Sequence, residues 1–374
     1  MDMVKDSGRK KVAVAMSGGV DSSVAAALLK EQGYEVEGVT MCLSIPSTSG
    51  RRPACCGEES IQAARAVARC LEVPHHVLDF SRDLEDWVIK DFIEEYGRGR
   101  TPNPCVRCNR YLKFGALRVL MKHLGRDYLA TGHYARIDRH DETGCFRLRK
   151  GADVNKDQSY FLYGLAAEAL PFIVFPLGNL RKEDVRDLAR RWGLPTAERA
   201  ESQDICFVPP GGYKTFIQTR TGEEAFIPGL FKNPQGEVVG RHRGIARYTI
   251  GQRDQLGIAL GVPVYVYRID PDENIVYVGP EKYLYVEGLL AGEMNYLQPM
   301  IPQRTVEVTA RIRYNARDVK GRLTVLEAGK SRLVFDEPQK SVTPGQSVVL
   351  YEGDTVLGGG VIESSLGPAC PASG

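Results

Sequence analysis

Short apolar runs alternate with longer stretches of helical spacing through the first half of the chain. Lys11–Ala15 (KVAVA) predicts a buried strand, and Ser22–Gln32 (SSVAAALLKEQ) predicts a helix that stops at Gly33. A strand at Glu35–Leu43, a helix at Glu58–Leu71, a strand at His75–Phe80 and a helix at Leu84–Tyr96 follow. Asn109–His123 again has helical spacing, Asp127–Thr131 reads as a strand, and Asp157–Leu170 and Lys182–Trp192 read as helices. This order predicts an α/β fold with a doubly wound, mostly parallel sheet, whose ligands lie beyond the carboxyl ends of the strands.

After about Pro210 the dominant period changes to two. Val264–Ile269 and Ile275–Val278, joined by the turn Asp270–Asn274, predict a hairpin. Thr305–Tyr314 alternates, with Val306, Val308, Ala310, Ile312 and Tyr314 on one face and Glu307, Thr309, Arg311 and Arg313 on a solvated one. Arg322–Leu326, Ser331–Phe335 and Gln346–Tyr351 continue as short strands. The expected organisation is a parallel-sheet domain over 1–212, a small mixed linking domain over 213–290 and a terminal β-barrel over 291–374.

Composition narrows the picture. With 374 residues, 43% hydrophobic and 26% charged, the chain has the make-up of a globular protein rather than a disordered or fibrous one. No apolar run reaches the ~18 residues of a membrane span; the most apolar window, Tyr160 to Gly178, is broken by Glu168, Pro171 and Pro176. Met1–Lys11 lacks the hydrophobic centre of a secretory signal, so a cytoplasmic location is expected, where structural disulfides are uncommon. Nine cysteines is an odd count for that compartment and points to reactive thiols or a metal site. Cys42, Cys70 and Cys145 are expected as small buried residues; Cys55, Cys56 and Cys370 have no assigned role. The net charge of +2 carries no global sign of nucleic-acid binding.

The strongest local signal is Ser17-Gly18-Gly19-Val20-Asp21-Ser22-Ser23, set between the first strand and the first helix. Two glycines allow close backbone approach to a phosphate, and the helix dipole favours an anion there. The hydroxyls of Ser17, Ser22 and Ser23 can donate to phosphate oxygens, and Asp21 can cap the helix or help hold Mg²⁺. No Gly-Lys-Ser/Thr follows, which argues against γ-phosphate transfer. SGGVDSS resembles the loop of the ATP pyrophosphatases (PP-loop enzymes), which cleave ATP between the α- and β-phosphates and adenylate an acceptor.

The second chemical signal is Gly99–Asn109 (GRTPNPCVRCN), with Cys105 and Cys108 three apart before a helix. The third is Ser202–Phe207 (SQDICF), which carries Cys206. A helix N-terminus together with Arg100, Arg107 and Arg110 would lower the Cys108 thiol pKa. On the residues alone this is half of a zinc site, a redox pair, or three ligands of an iron–sulfur cluster.

Taken together, SGGVDSS, GRTPNPCVRCN, Ala130–Tyr134 (ATGHY), Asn155–Tyr160 (NKDQSY) and SQDICF resemble the bacterial tRNA-specific 2-thiouridylase family. Thr249–Arg253 (TIGQR), Arg313-Tyr314 and Thr343–Gln346 (TPGQ) extend the likeness over about residues 11 to 363. The resemblance implies a tRNA-uridine 2-sulfurtransferase that converts the wobble uridine of tRNAs for Lys, Glu and Gln to 2-thiouridine, using ATP with Mg²⁺. It implies ATP contacts at Ala15, Met16, Ser17, Gly18, Gly19, Val20, Asp21, Ser22, Met41 and Gly132. It assigns Cys206 as the persulfide carrier and Cys108 as the nucleophile that ends in a disulfide with it. tRNA contacts are implied at Asn103, Pro104, Cys105, His133, Lys156, Asp157, Gln158, Arg313, Tyr314 and Gln346. An upstream persulfide donor or sulfur-relay protein is implied as partner, with the chain itself a monomer.

Cys105 departs from a common family pattern, in which an aspartate assigned as a base stands three residues before the catalytic cysteine. That keeps open a [4Fe–4S] cluster on Cys105, Cys108 and Cys206 as the sulfur carrier. The alternatives are another adenylating synthetase with the same loop, which needs neither Cys108 nor Cys206, and a non-catalytic RNA-binding protein with a structural metal. Arg241, Arg243, Arg247 and Arg253 form a second basic cluster, in the linking domain.

Overall fold

The computed structural model describes residues 8–43, 58–200, 205–209, 211–222, 226–258 and 260–368. Cys55, Cys56, Cys370 and positions 202–204 of the SQDICF motif lie outside them. The chain forms two compact units, residues 1–87 with 107–207, and residues 88–106 with 208–374.

The first unit is built on five parallel strands in the order β3-β2-β1-β4-β7: β1 (Lys11–Ala15), β2 (Glu35–Cys42), β3 (His75–Asp79), β4 (Tyr128–Thr131) and β7 (Ile173–Val174). Val12, Ala13 and Val14 are fully buried, because helices cover both faces of the sheet and no alternation with polar residues is needed. Helix α1 (Val20–Glu31) is buried along most of its length, and its run Ala25-Ala26-Ala27 lets it lie close to the sheet. Helix α2 (Glu58–Cys70) buries only Ala64, Val67 and Ala68. The chain leaves β1 for β2 on one side while β4 lies on the other, so the carboxyl end of β1 opens at a topological switch point. A hairpin, β5 (Ala135–Arg139) with β6 (Phe146–Lys150), follows β4 and carried no clear sequence signal.

Two helical expectations are corrected. Asp157–Leu170 is not one helix; it holds only the 3₁₀ turns Ser159–Phe161 and Ala167–Phe172. The Asp157 carboxylate accepts the N–H groups of Gly151 and Ser159, at 3.0 and 3.1 Å, and the Ser159 hydroxyl at 3.0 Å. This local side-chain bonding replaces a helical ladder, and Pro171 sits inside the second turn. Asn109–His123 is helical, but Cys108–Leu117 is a wide π-helix that narrows to α only at Arg118–His123. A further correction concerns the minor cysteines, since Cys42 is only half-buried and Cys70 and Cys145 are exposed.

In the second unit, β8 (Gly229–Lys232), β9 (Val238–His242), β10 (Tyr265–Asp270) and β11 (Ile275–Gly279) form a sheet ordered β10-β11-β8-β9 around Phe231, Val266, Val276 and Val278. Six antiparallel strands then close a barrel: β12 (Tyr285–Tyr296), β13 (Thr305–Arg311), β14 (Val319–Val325), β15 (Ser331–Lys340), β16 (Ser347–Glu352) and β17 (Thr355–Pro368). The order is β12-β15-β14-β13-β16-β17, and β12 pairs back to β17. Val308, Ala310, Ile312, Leu333 and Leu350 fill the interior, as the alternation predicts. The segment 88–106 is anchored in this unit by aromatic contacts. Tyr96 stacks on Tyr213 with centroids 4.4 Å apart, and Phe92 meets Phe216 edge-on at 6.2 Å.

Candidate active site

Met16 to Gly19 connect β1 to α1. Gly18 has φ of +75°, and a side chain there would collide with the carbonyl of Ser60 at the start of α2. The loop serines act differently from the sequence expectation. Ser22 and Ser23 donate their hydroxyls to the Gly19 carbonyl at 3.1 and 2.8 Å, and Ser22 Oγ accepts the Ser17 N–H at 3.2 Å. These hydroxyls hold the loop's shape; Ser17 is the exposed one. Ala15, Gly19 and Asp21 keep partial exposure at the mouth, while Met16 and Val20 are buried beneath it. Met41 is half-buried on β2 beside this end of β1.

Gly132 follows β4 and closes the other side. A Cβ there would stand 2.7 Å from Asp21 C and Ser22 N, so the β4 loop and the first turn of α1 touch only because the residue is glycine. Two cations were missed by sequence reasoning. Lys182 places Nζ 2.7 and 2.8 Å from the two carboxylate oxygens of Asp21, and Arg199 donates Nη1 to the Gly18 carbonyl at 3.0 Å. Neither carried a usable signal, since each is one basic residue among many polar neighbours.

His133 bonds Thr131 Oγ1 through Nδ1 at 2.6 Å, with Phe114 and Phe175 each 5.9 Å from its ring. Burial, with the Lys113 charge as a second cause, holds its pKa well below the usual histidine value, so the ring is neutral at neutral pH.

Cys108 begins the π-helical stretch, one turn after the helix start at Pro104. Its sulfur is deep enough that burial pushes the thiol pKa up; Lys113 opposes this and Cys206 adds to it. This reverses the expectation of a thiol lowered by a helix N-terminus, because the dipole acts mainly within the first turn. Cys206 itself is exposed. On the same π-helix, Lys113 donates to Asn109 Oδ1 at 3.0 Å and Asn109 donates to the Phe161 carbonyl at 3.0 Å, which ties the helix to the residue just after the NKDQSY segment. Tyr111 stacks on the exposed Trp87 at 5.0 Å. Among the described residues no three His, Cys, Asp or Glu side chains come together as a metal-holding group.

Three family models match in succession. The tRNA methyl transferase HUP domain matches residues 10–210, the tRNA methyl transferase PRC-barrel domain 214–280, and the aminomethyltransferase beta-barrel domain 286–362. The protein of Carboxydothermus hydrogenoformans called tRNA-specific 2-thiouridylase MnmA is 49% identical over 370 residues, which cover 98% of this chain and all of that one. The protein of the same name from Moorella thermoacetica is 50% identical over 355 residues, 94% of this chain and 99% of its own. The chain belongs to the tRNA-specific 2-thiouridylase family.

In this 2-thiouridylase family member the remaining motif residues divide into two groups. Some are structural. Gln158 accepts the Tyr134 N–H at 3.0 Å, Asp157 is buried in its own turn, and Gln346 donates to the carbonyl of Thr101 at 2.9 Å. Arg311 is also turned inward, paired with Asp318 at 2.7 Å and lying over the Tyr351 ring, which corrects the reading of a uniformly solvated face. Others face solvent at least in part. Arg313 and Cys105 are exposed, as are Arg241, Arg243 and Arg253; Asn103, Lys156 and Tyr314 are half-buried, and Pro104 is buried. Arg247 lies over the Phe226 ring, 4.4 Å from its centroid, and donates Nε to the Arg243 carbonyl at 3.1 Å.

Proposed function

We propose that this chain is a tRNA-uridine 2-sulfurtransferase that uses ATP to replace the C2 oxygen of the wobble uridine with sulfur. The observation that carries the reading is that the SGGVDSS loop at the carboxyl end of β1 lies in the same compact unit as Cys108 and Cys206. A synthetase that only adenylates an acceptor has no use for that thiol pair. The relatives bearing the 2-thiouridylase name align with nearly the whole chain.

A uracil carbonyl is a poor electrophile. Its C2 oxygen attacks the α-phosphorus of ATP, the bond to the β-phosphate oxygen breaks, and pyrophosphate leaves. The adenylated carbon then has AMP as its leaving group. Cys206 carries the persulfide, and the Cys108 thiolate attacks the inner sulfur to form a Cys108–Cys206 disulfide. The outer sulfur is released as hydrosulfide at C2, where it displaces AMP. An external thiol reductant returns the disulfide to two thiols before the next cycle. Mg²⁺ accompanies ATP, with Asp21 the carboxylate at the loop that would meet it.

A [4Fe–4S] carrier on Cys105, Cys108 and Cys206 is the alternative sulfur carrier, and no step is routed through one. The tRNAs for Lys, Glu and Gln are the proposed substrates, a persulfide-bearing protein the donor, and a cytoplasmic monomer the working form. Among the described residues no helix is long and apolar enough to cross a membrane. The residues proposed to meet tRNA are Asn103, Pro104, Cys105, His133, Lys156, Asp157, Gln158, Arg313, Tyr314 and Gln346.

The test incubates the chain with substrate tRNA, ATP, Mg²⁺ and a persulfide donor, followed by nucleoside mass analysis. The expected result is an oxygen-to-sulfur mass gain on the wobble uridine, abolished in Cys108→Ala and Cys206→Ala. Bound tRNA that gains no sulfur sinks the proposal.

A further inference from the structure

The loop Met16–Ser22 must hold a polyphosphate, yet it contains no lysine or arginine. An ammonium reaches it from far along the chain. Lys182 is buried, 8% exposed, with Nζ 2.7 and 2.8 Å from the two oxygens of Asp21. The Tyr134 hydroxyl donates to the same Asp21 Oδ1 at 2.7 Å, and the Tyr134 ring lies 5.7 Å from the ammonium. Its backbone is fixed as well, since Lys182 N–H donates to Asp153 at 3.0 Å and Arg181 N–H to Asp184 at 3.2 Å. A flexible side chain is thus held in one place at the first turn of α1, beside the phosphate loop.

Adhesion alone does not account for it. The helix Lys182–Arg191 already docks through Val185 and Ala189 in the apolar core that α1 shares. An ion pair removed from water adds little to such packing, because desolvation offsets the attraction. Asp21, by contrast, stays partly open to solvent, so an incoming anion can reach the pair.

We propose that Lys182 is the cation that takes the pyrophosphate end of ATP, with Asp21 holding it in place until the nucleotide arrives. As the bond between α-phosphorus and β-phosphate oxygen breaks, negative charge grows on the leaving pyrophosphate. A preset ammonium there stabilises the transition state more than the ground state. Lys182 supplies from a distant helix the charge that a Walker loop carries in its own lysine. The inference rests on reading the loop as an ATP site and is independent of which acceptor is adenylated.

The test measures equilibrium binding of ATP, inorganic pyrophosphate and AMP to the full chain by calorimetry, without tRNA. Lys182→Met is expected to weaken ATP and pyrophosphate roughly tenfold or more, as loss of a charge-assisted contact does, with AMP within about twofold. Lys182→Arg should restore part of the loss. Asp21→Asn, which keeps the ammonium but loosens its tether, should weaken metal-free pyrophosphate binding by clearly less than Lys182→Met does. Unchanged ATP binding in Lys182→Met overturns the inference, as does a parallel fall for AMP. So does a loss of pyrophosphate in Asp21→Asn equal to that in Lys182→Met. A parent chain that binds neither ATP nor pyrophosphate overturns the ATP reading itself, a result distinct from these.

Discussion

Gln346 donates its side-chain amide to the carbonyl of Thr101 at 2.9 Å, and the Thr101 N–H donates to the carbonyl of Pro344 at the same distance. Two motifs far apart in sequence, TPGQ and GRTPNPC, are therefore one clamp. Gln346 fixes the backbone before Cys105. Gln346→Ala should cost about 1 kcal/mol in denaturant unfolding, the net worth of a typical hydrogen bond. Gln346→Glu, which cannot donate, should match it. Thiolation should drop several-fold in both while ATP affinity holds; full thiolation activity in the Ala variant would count against the clamp.

Gly132→Ala tests the other close approach. The new methyl would meet the Asp21–Ser22 peptide at 2.7 Å, and neither backbone has room to yield without moving the first turn of α1. Destabilisation of about 1–3 kcal/mol is expected, as for overpacking elsewhere, together with at least tenfold weaker ATP binding. Thermal melts and nucleotide titration check both.

The Cys108 thiol should react only above the ordinary thiol range, because burial favours its neutral form. Iodoacetamide labelling followed across pH by peptide mass should show its midpoint displaced upward from that of an exposed cysteine. Lys113→Met should push the midpoint higher still, since that charge favours the thiolate. Cys206→Ser should bring it down. A midpoint below that of a free thiol would contradict this account.

His133 links pH to stability. Its folded pKa lies below the unfolded value near 6.5, so the unfolded chain binds the proton first as pH falls. The stability conferred by the neutral ring is complete above that value and is lost as pH falls through and below it, towards the depressed folded pKa. Urea unfolding from pH 7.5 down to pH 5 should show this loss, and His133→Asn should flatten that part of the curve. Equal slopes in parent and variant would remove His133 from the acid response.

Arg311 and Arg313 should separate in function although they stand two residues apart. Arg311→Ala, which breaks the pair with Asp318 and the contact over Tyr351, should cost about 1–2 kcal/mol of stability. Arg313→Ala should leave stability nearly unchanged, weaken tRNA binding and lower the salt dependence by about one phosphate contact. Filter binding over a range of salt, with unfolding curves beside it, distinguishes them.

The β1–loop–α1 unit was legible in the chain because each part of its signal is local. KVAVA has the burial pattern of a covered strand, and SGGVDSS carries its glycines at the turn itself. The barrel alternation was legible for the same reason at Val308, Ala310 and Ile312. The hairpin β5–β6 and strand β7 were not, because Ala135–Arg139 has mixed polarity and Ile173–Val174 is two residues long. In the site, the Asp21, Cys108 and Cys206 positions could be read from motifs, whereas the partners of Asp21 could not.

What the amino-acid order determined by itself was therefore the set of local conformations and the reactive side chains: a phosphate loop at a strand end, two thiols beside a helix, a terminal barrel. Tertiary structure alone decided how those groups behave. It brought Lys182 to Asp21 and Gln346 to Thr101, turned Arg311 inward, and raised a thiol that its sequence neighbours would have lowered. Backbone preference acts over a few residues, whereas desolvation and charge depend on whatever the fold packs nearby, from any distance along the chain.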